Sequence, residues 1–195
     1  MNILIYINYN NFIINNTLIN KDIIKFSVKD ILTLNDYLLK EVLFRIIGNN
    51  EEYYQALANS FLVSADNAHA IHPNRPDLAD PTNQVYMNKG IVIKHNSNQR
   101  YTTDALSNAY FKLVCDSAEA TYQHYTNRSD QRGGSTLGSI SSTQVSISSC
   151  DIGLAQLAMH SANETAGVFD YQEMIKALTK FYNSNFKKEN ETITM

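Results

Sequence analysis

The stretch Ser60-Phe61-Leu62-Val63-Ser64-Ala65-Asp66-Asn67-Ala68-His69-Ala70-Ile71-His72-Pro73-Asn74 decides the reading of this chain. Its first half is a short, compact apolar run that ends in small residues, the pattern of a strand buried on both faces of an α/β sheet. A carboxylate and two imidazoles follow directly, at the carboxyl end of that strand, where open α/β sheets place their ligand sites. Asp and His are also donor types that bind zinc. Spacing alone does not separate a metal or catalytic site from a hydrogen-bonded loop.

Outward from this strand, helices and strands alternate, which predicts an α/β domain. Upstream, Leu38, Leu39, Val42, Leu43 and Ile46 recur at helical intervals until Gly48 stops the run. A second helix is expected over Glu51 to Ala58. Downstream, Val85 to Met87 and Gly90 to Lys94 read as a strand pair turned at Asn88-Lys89-Gly90. The longest helix is expected from Thr103 to His124, started by Thr102 or Thr103 with Asp104. Gly133-Gly134-Ser135-Thr136-Leu137-Gly138 lacks the lysine and spacing of a phosphate-binding loop and reads as a tight loop entering a helix. Val145-Ser146-Ile147 has strand alternation, and a last helix spans Tyr171 to Tyr182, with Asp170 and Glu173 at capping-box spacing. Ser161 and Glu164 share that spacing and are expected to start a helix. His160, in an apolar neighbourhood, reads by itself as a core histidine.

Three domain segments follow: an unassigned Asn/Ile-rich leader over 1–34, a folded unit over 35–186, and a polar tail over 187–195 that is expected to fray. Within the leader, Ile3-Leu4-Ile5-Tyr6-Ile7 reads either as an edge strand or as poorly ordered chain, the second being preferred. With 195 residues, 44% of them hydrophobic and 18% charged, the chain can bury a core of ordinary domain size. A net charge of -3 gives no basic field for nucleic acid or an anionic membrane. No apolar run approaches the ~20 residues of a membrane-crossing helix, and no signal peptide is recognised. Cys115 and Cys150 form no CxxC pair and read as reduced core thiols, which suits a cytoplasmic location.

Taken in order, Ser64 to Asn74, Lys94, Arg100-Tyr101, Arg128-Ser129-Asp130, Gly134-Ser135-Thr136-Leu137-Gly138, Asp151-Ile152-Gly153 and Met159-His160-Ser161 closely resemble the aspartyl aminopeptidase family of dinuclear zinc exopeptidases. The likeness runs from about Asp36 to Phe186. It implies the C-terminal portion of a three-layer α/β/α zinc-peptidase domain with a mixed sheet, and release of N-terminal acidic residues from peptides. It implies that Asp66 and His160 are ligands of the family's two zinc ions. It also implies that His69, Lys94 and Tyr101, with Asp66 beside them, receive a substrate's N-terminal Asp or Glu. Lys94 would pair with the acidic side chain, while Tyr101 and His69 donate to substrate oxygens.

The chain departs from the family as well. The first ligand histidine, the bridging aspartate and the glutamate pair that includes the general base have no counterpart upstream of the first helix, so no catalytic residue is assigned. Glu51-Glu52 lacks the surrounding pattern. The dimerising insert domain is missing, and Asn163 stands where the family usually has arginine. Two expectations follow: a truncated zinc aminopeptidase, or a non-catalytic fragment serving as a subunit or partner of a full-length homologue, with homo-oligomers also expected.

Overall fold

The computed structural model describes residues 38–131 and 133–184, and the strands at 2–6, 13–14, 17–18, 23–27, 187–189 and 192–194 as backbone alone. Its strands are β1 (Asn2–Tyr6), β2 (Ile13–Ile14), β3 (Thr17–Leu18), β4 (Ile23–Ser27), β5 (Phe61–Ala65), β6 (Ala68–His69), β7 (Ile91–His95), β8 (Tyr122–Thr126), β9 (Ser148–Gly153), β10 (Ala155–Leu157), β11 (Thr165–Ala166), β12 (Lys187–Glu189) and β13 (Thr192–Thr194). The helices are α1 (Leu38–Ile47), α2 (Asn50–Ala58), α3 (Ala105–Ser117), α4 (Leu137–Gln144) and α5 (Val168–Tyr182).

A six-stranded mixed sheet runs in the order β4-β1-β5-β9-β7-β8. Strand β5 lies parallel to β9, β9 antiparallel to β7, and β7 parallel to β8. The alternation of side chains along β5 explains the layers. Phe61 and Val63 face a core shared with Tyr110, Phe111 and Val114 of α3 and Met174, Ala177 and Phe181 of α5. Leu62 faces the opposite core, with Leu39, Leu43 and Ile47 of α1, Tyr53 and Leu57 of α2, and Leu137 of α4. Helices therefore cover both faces of one sheet, the three-layer α/β/α arrangement expected.

Local chemistry sets most of the boundaries. Asn49 caps α2 by accepting from the Glu52 amide at 2.9 Å, and Asp104 caps α3 in a reciprocal box with Ser107. The glycine-rich loop does enter a helix, α4, at Thr136.

Several expectations need correction. The long helix ends at Ser117, not His124, because Glu119 turns left-handed at φ 51° and the Ala120 amide closes onto the Cys115 carbonyl. The residues after it form β8, so His124 is a strand residue. Val85 to Met87 forms no strand; the Gln123 side-chain amide accepts from Tyr86 N–H and donates to its carbonyl, replacing a strand partner. The turn before β7 does form, with Asn88 at φ 61° and Gly90 at φ 103°, where glycine is favoured. The strand expected at Val145 to Ile147 begins at Ser148 instead, and Val145 and Ile147 plug the α1/α2/α4 core from the connection. Ser161 and Glu164 start no helix; the Glu164 carboxylate accepts from the His160 amide at 2.6 Å. The α5 cap is Gly167, without a side-chain bond, so Asp170 and Glu173 form no capping box.

Of the leader, Asn2–Tyr6 is a strand inside the sheet, between β4 and β5, rather than at its edge. In the tail, β12 and β13 pair antiparallel. Residues 35–37 and Ile7 lie outside the described residues. Among those described, no helix is long and apolar enough to cross a membrane.

Candidate functional site

Asp66 sits one residue past β5, with its amide donating to the Ile152 carbonyl of β9 at 2.8 Å. The chain then crosses Gly153 so closely that a Cβ there would strike the Asp66 carbonyl. A small three-stranded sheet, β11-β10-β6, continues outward from this crossing. In it His69 is registered with Gln156, parallel to it. Asn67 fastens the two segments, accepting from the Leu154 amide at 3.1 Å and donating to the Gln156 side chain. His160 follows β10 in a turn where both Ala158 and His160 adopt left-handed backbone, φ 56° and 67°.

Lys94 comes from β7 and is 2% exposed. Its Nζ donates to the Asn67 carbonyl at 3.0 Å, reaches the Asp66 carboxylate at 3.5 Å and lies 5.0 Å from the centre of the Tyr101 ring. Burial lowers the lysine's pKa, while the carboxylates of Asp66 and Asp151 push it back up. Burial pushes the Tyr101 phenol far above its ordinary range, so it remains a protonated donor. His69 is open to solvent on one side. Loss of water around its ring lowers its pKa, the Lys94 and His160 charges lower it further, and Asp66 opposes them. Asp66, His69, Lys94, Tyr101 and His160 thus share one end of the sheet.

Asp151 belongs to the motif Asp151-Ile152-Gly153, which by itself assigns it no task. It is fully buried in β9. Its Oδ2 accepts from the Thr102 amide at 2.6 Å and the Thr102 hydroxyl at 2.8 Å, which fixes the residue next to Tyr101. Its Oδ1 has no partner among the described residues. A carboxylate between the apolar Cys150 and Ile152 was the available signal. Asn67 and Gln156 were missed for a different reason: an amide pair 89 positions apart leaves no local trace.

A catalytic zinc usually takes about three protein ligands plus water. Among the described residues no group of three or more His, Cys, Asp or Glu side chains could hold a metal ion. Asp66 and His160 are the right donor types but too few, so these residues do not by themselves make a zinc site.

The described residues thus form an α/β/α sandwich that gathers a carboxylate, imidazoles and a buried lysine where its strands end. The sequence model described as "Aminopeptidase I zinc metalloprotease (M18)" matches residues 33–182, and the chain belongs to that family, whose members are zinc-dependent aminopeptidases. It is 45% identical over 146 residues to a "Probable M18 family aminopeptidase 2" of Clostridium novyi (strain NT), covering 75% of this chain and 34% of that protein. Against the namesake of Pseudomonas aeruginosa (strain LESB58) it is 42% identical over 147 residues, with coverage of 75% and 34%. The chain therefore spans about a third of the length of these curated relatives. It superposes with TM-score 0.72 and 35% identity on a chain of the Ape4 and Nbr1 complex, covering 76% of this chain and 29% of that one. For aminopeptidase I from Clostridium acetobutylicum, TM-score 0.65 at 24% identity, over 76% and 34% of the two chains, speaks for the fold.

Proposed function

We propose that this chain is the substrate-selecting portion of a zinc aminopeptidase that prefers an N-terminal Asp or Glu. The observation that carries the reading is Lys94. An ammonium has three donors, and here a buried one meets a single carbonyl at 3.0 Å and a distant carboxylate oxygen at 3.5 Å. An incoming Asp or Glu side chain would complete that shell with a charge-assisted bond. A neutral side chain would leave the cation short of partners, the kind of mismatch that gives strong discrimination. Tyr101 supplies a hydroxyl donor, and His69, neutral near pH 7, can donate from one ring nitrogen and accept at the other. Asp66 and His160 are proposed as one ligand each for the two zinc ions of the family reading, the remaining donors and the general base coming from polypeptide beyond the residues described.

Titration calorimetry of the purified chain with Asp-Ala and Leu-Ala peptides tests this. Asp-Ala is expected to bind about tenfold tighter or more, and Lys94→Met is expected to level the two. Equal affinities in the unmutated chain would sink the acid preference.

The shortage of metal donors among the described residues supports a second reading, in which the chain works as a non-catalytic subunit or partner of a longer homologue or of further copies of itself. Elemental analysis with an Asp-substrate assay separates the readings. Two tightly bound zinc ions per chain, with turnover abolished by His160→Ala, would favour a self-sufficient enzyme. The unpaired, buried Cys115 and Cys150 support placing the chain in a reducing compartment such as the cytoplasm.

A further inference from the structure

Past His69 the site runs on into a recess of about 460 Å3. His69, placed at the substrate in the acid reading, lines this recess as well, next to its register partner Gln156. Ile71, Leu78, Ala79, Leu157 and Ala158 are its apolar lining beyond that point. Leu78 keeps 47% of its surface exposed where it lines the recess.

The rim is tied down and its charges are spent. Arg75 grips the Asp77 carboxylate through Nε and Nη2, at 3.0 and 2.9 Å. Arg128 pairs with Asp130 at 2.7 Å and also donates to the Asp77 carbonyl, lashing the 75–78 turn to the loop after β8. Asp80 is the one carboxylate on the lining. It is occupied by the amides of Thr82 and Asn83 and by the Asn83 side chain. The recess thus sets its apolar lining among polar neighbours such as His72, Asn127 and Gln131, and its arginines and its carboxylate are already partnered.

We propose that this recess receives the residue following the cleaved bond and selects apolar side chains there, leucine or phenylalanine over serine or lysine. The proposal rests on the aminopeptidase reading above. A peptide whose first side chain reaches Lys94 has its next residue about 3.3 Å further along an extended backbone and pointing the other way, toward the His69 end where the recess opens. The volume lies in the range of small-ligand pockets, about 300–1,000 Å3, enough for one large side chain and the next peptide unit. A lysine there would find no free carboxylate, because Asp80 is already taken by Thr82 and Asn83.

The test uses the full 195-residue chain and C-terminally labelled tetrapeptides Asp-X-Ala-Ala and Ala-X-Ala-Ala, with fluorescence anisotropy as the readout. Asp-Leu and Asp-Phe peptides are expected to bind about tenfold tighter than Asp-Ser and Asp-Lys. Leu78→Asp, at an exposed position that tolerates a charge, should erase the preference at the second residue and keep that at the first. Lys94→Met should do the reverse. Equal affinity for all second residues overturns the recess, as does a second-residue preference that Leu78→Asp and Leu78→Ser both leave intact. If Asp-X and Ala-X bind alike while the apolar preference persists, the acid reading fails and the recess stands. No binding by any peptide overturns both.

Discussion

Asp151 shows what a single residue contributes where water is shut out. One oxygen takes both donors of Thr102, and the charge supports the ammonium of Lys94 and penalises ionisation of Tyr101. Asp151→Asn keeps the size but can turn a donor toward the Thr102 amide. We expect a loss of about 1–3 kcal/mol in urea denaturation, and an unchanged midpoint would show that the contact has no net weight. A second residue-level effect belongs to His95 and His124, whose rings meet at 3.1 Å between Nε2 and Nδ1 on neighbouring strands. Burial lowers both pKa values; His124 further lowers that of His95, and Lys112 that of His124. With folded pKa values below the unfolded value of about 6.5, the unfolded chain binds more protons as pH falls. The pair's contribution is therefore present above about pH 6.5 and lost on acidification through the folded values. Melting temperature should drop from pH 7 to pH 5, and His124→Gln should flatten that slope. At this scale the sequence exposed Lys94 and Asp66 through their motifs. The family likeness also brought Lys94 and Tyr101 to one pocket, whereas the His95–His124 contact was invisible, because it depends on the register of β7 with β8.

Among the elements, α5 acts as a clamp. Asp170 accepts from the amides of Asn88 and Gly90, both at 2.7 Å, and Glu173 accepts from the Thr121 amide at 2.6 Å. One helix turn thereby holds the two loops that feed β7 and β8 into the sheet. Asp170→Ala should cost about 2 kcal/mol or more, since two amides lose their acceptor. Hydrogen exchange should show the loss of protection concentrated at Asn88 and Gly90. Capping-box spacing marked these two acids as important, but their partners lie roughly fifty to eighty positions away, beyond any local pattern. The misplaced end of α3 has a similar origin: Ala118-Glu119-Ala120 contains no Gly or Pro to announce the stop. Strand β9, Ser-Ser-Cys-Asp-Ile-Gly, has weak intrinsic strand preference, and its pairing with β5 overrides that weakness. Gly153→Ala tests the crossing of β9 and Asp66; overpacking against backbone should destabilise by about 1–3 kcal/mol, and a soluble variant with an unchanged melting point would refute the close approach.

For the whole molecule, the layers were legible because helical and strand periods alternate cleanly from Leu38 onward, and the N-terminal strands were not, because Asn-rich chain carries no sustained period. Strand β1 runs antiparallel beside β5, and β4 covers β1, although both precede the family match at residue 33. Deleting residues 1–32 should bare the β5 edge. Sedimentation velocity is expected to show self-association of the shortened chain; a monodisperse monomer would count against a covering role. The β5–β9 register, Phe61 beside Ser148, has one more implication, for synthesis. On the ribosome, β5 emerges long before its parallel neighbour exists, and such distant pairing is slow to form and exposed to misassembly. His69 acquires Gln156, and Lys94 the charge of Asp151, only once β9 and β10 have been translated. A nascent chain halted before that point would carry every residue of the acid pocket from Asp66 to Tyr101 and still lack the pocket.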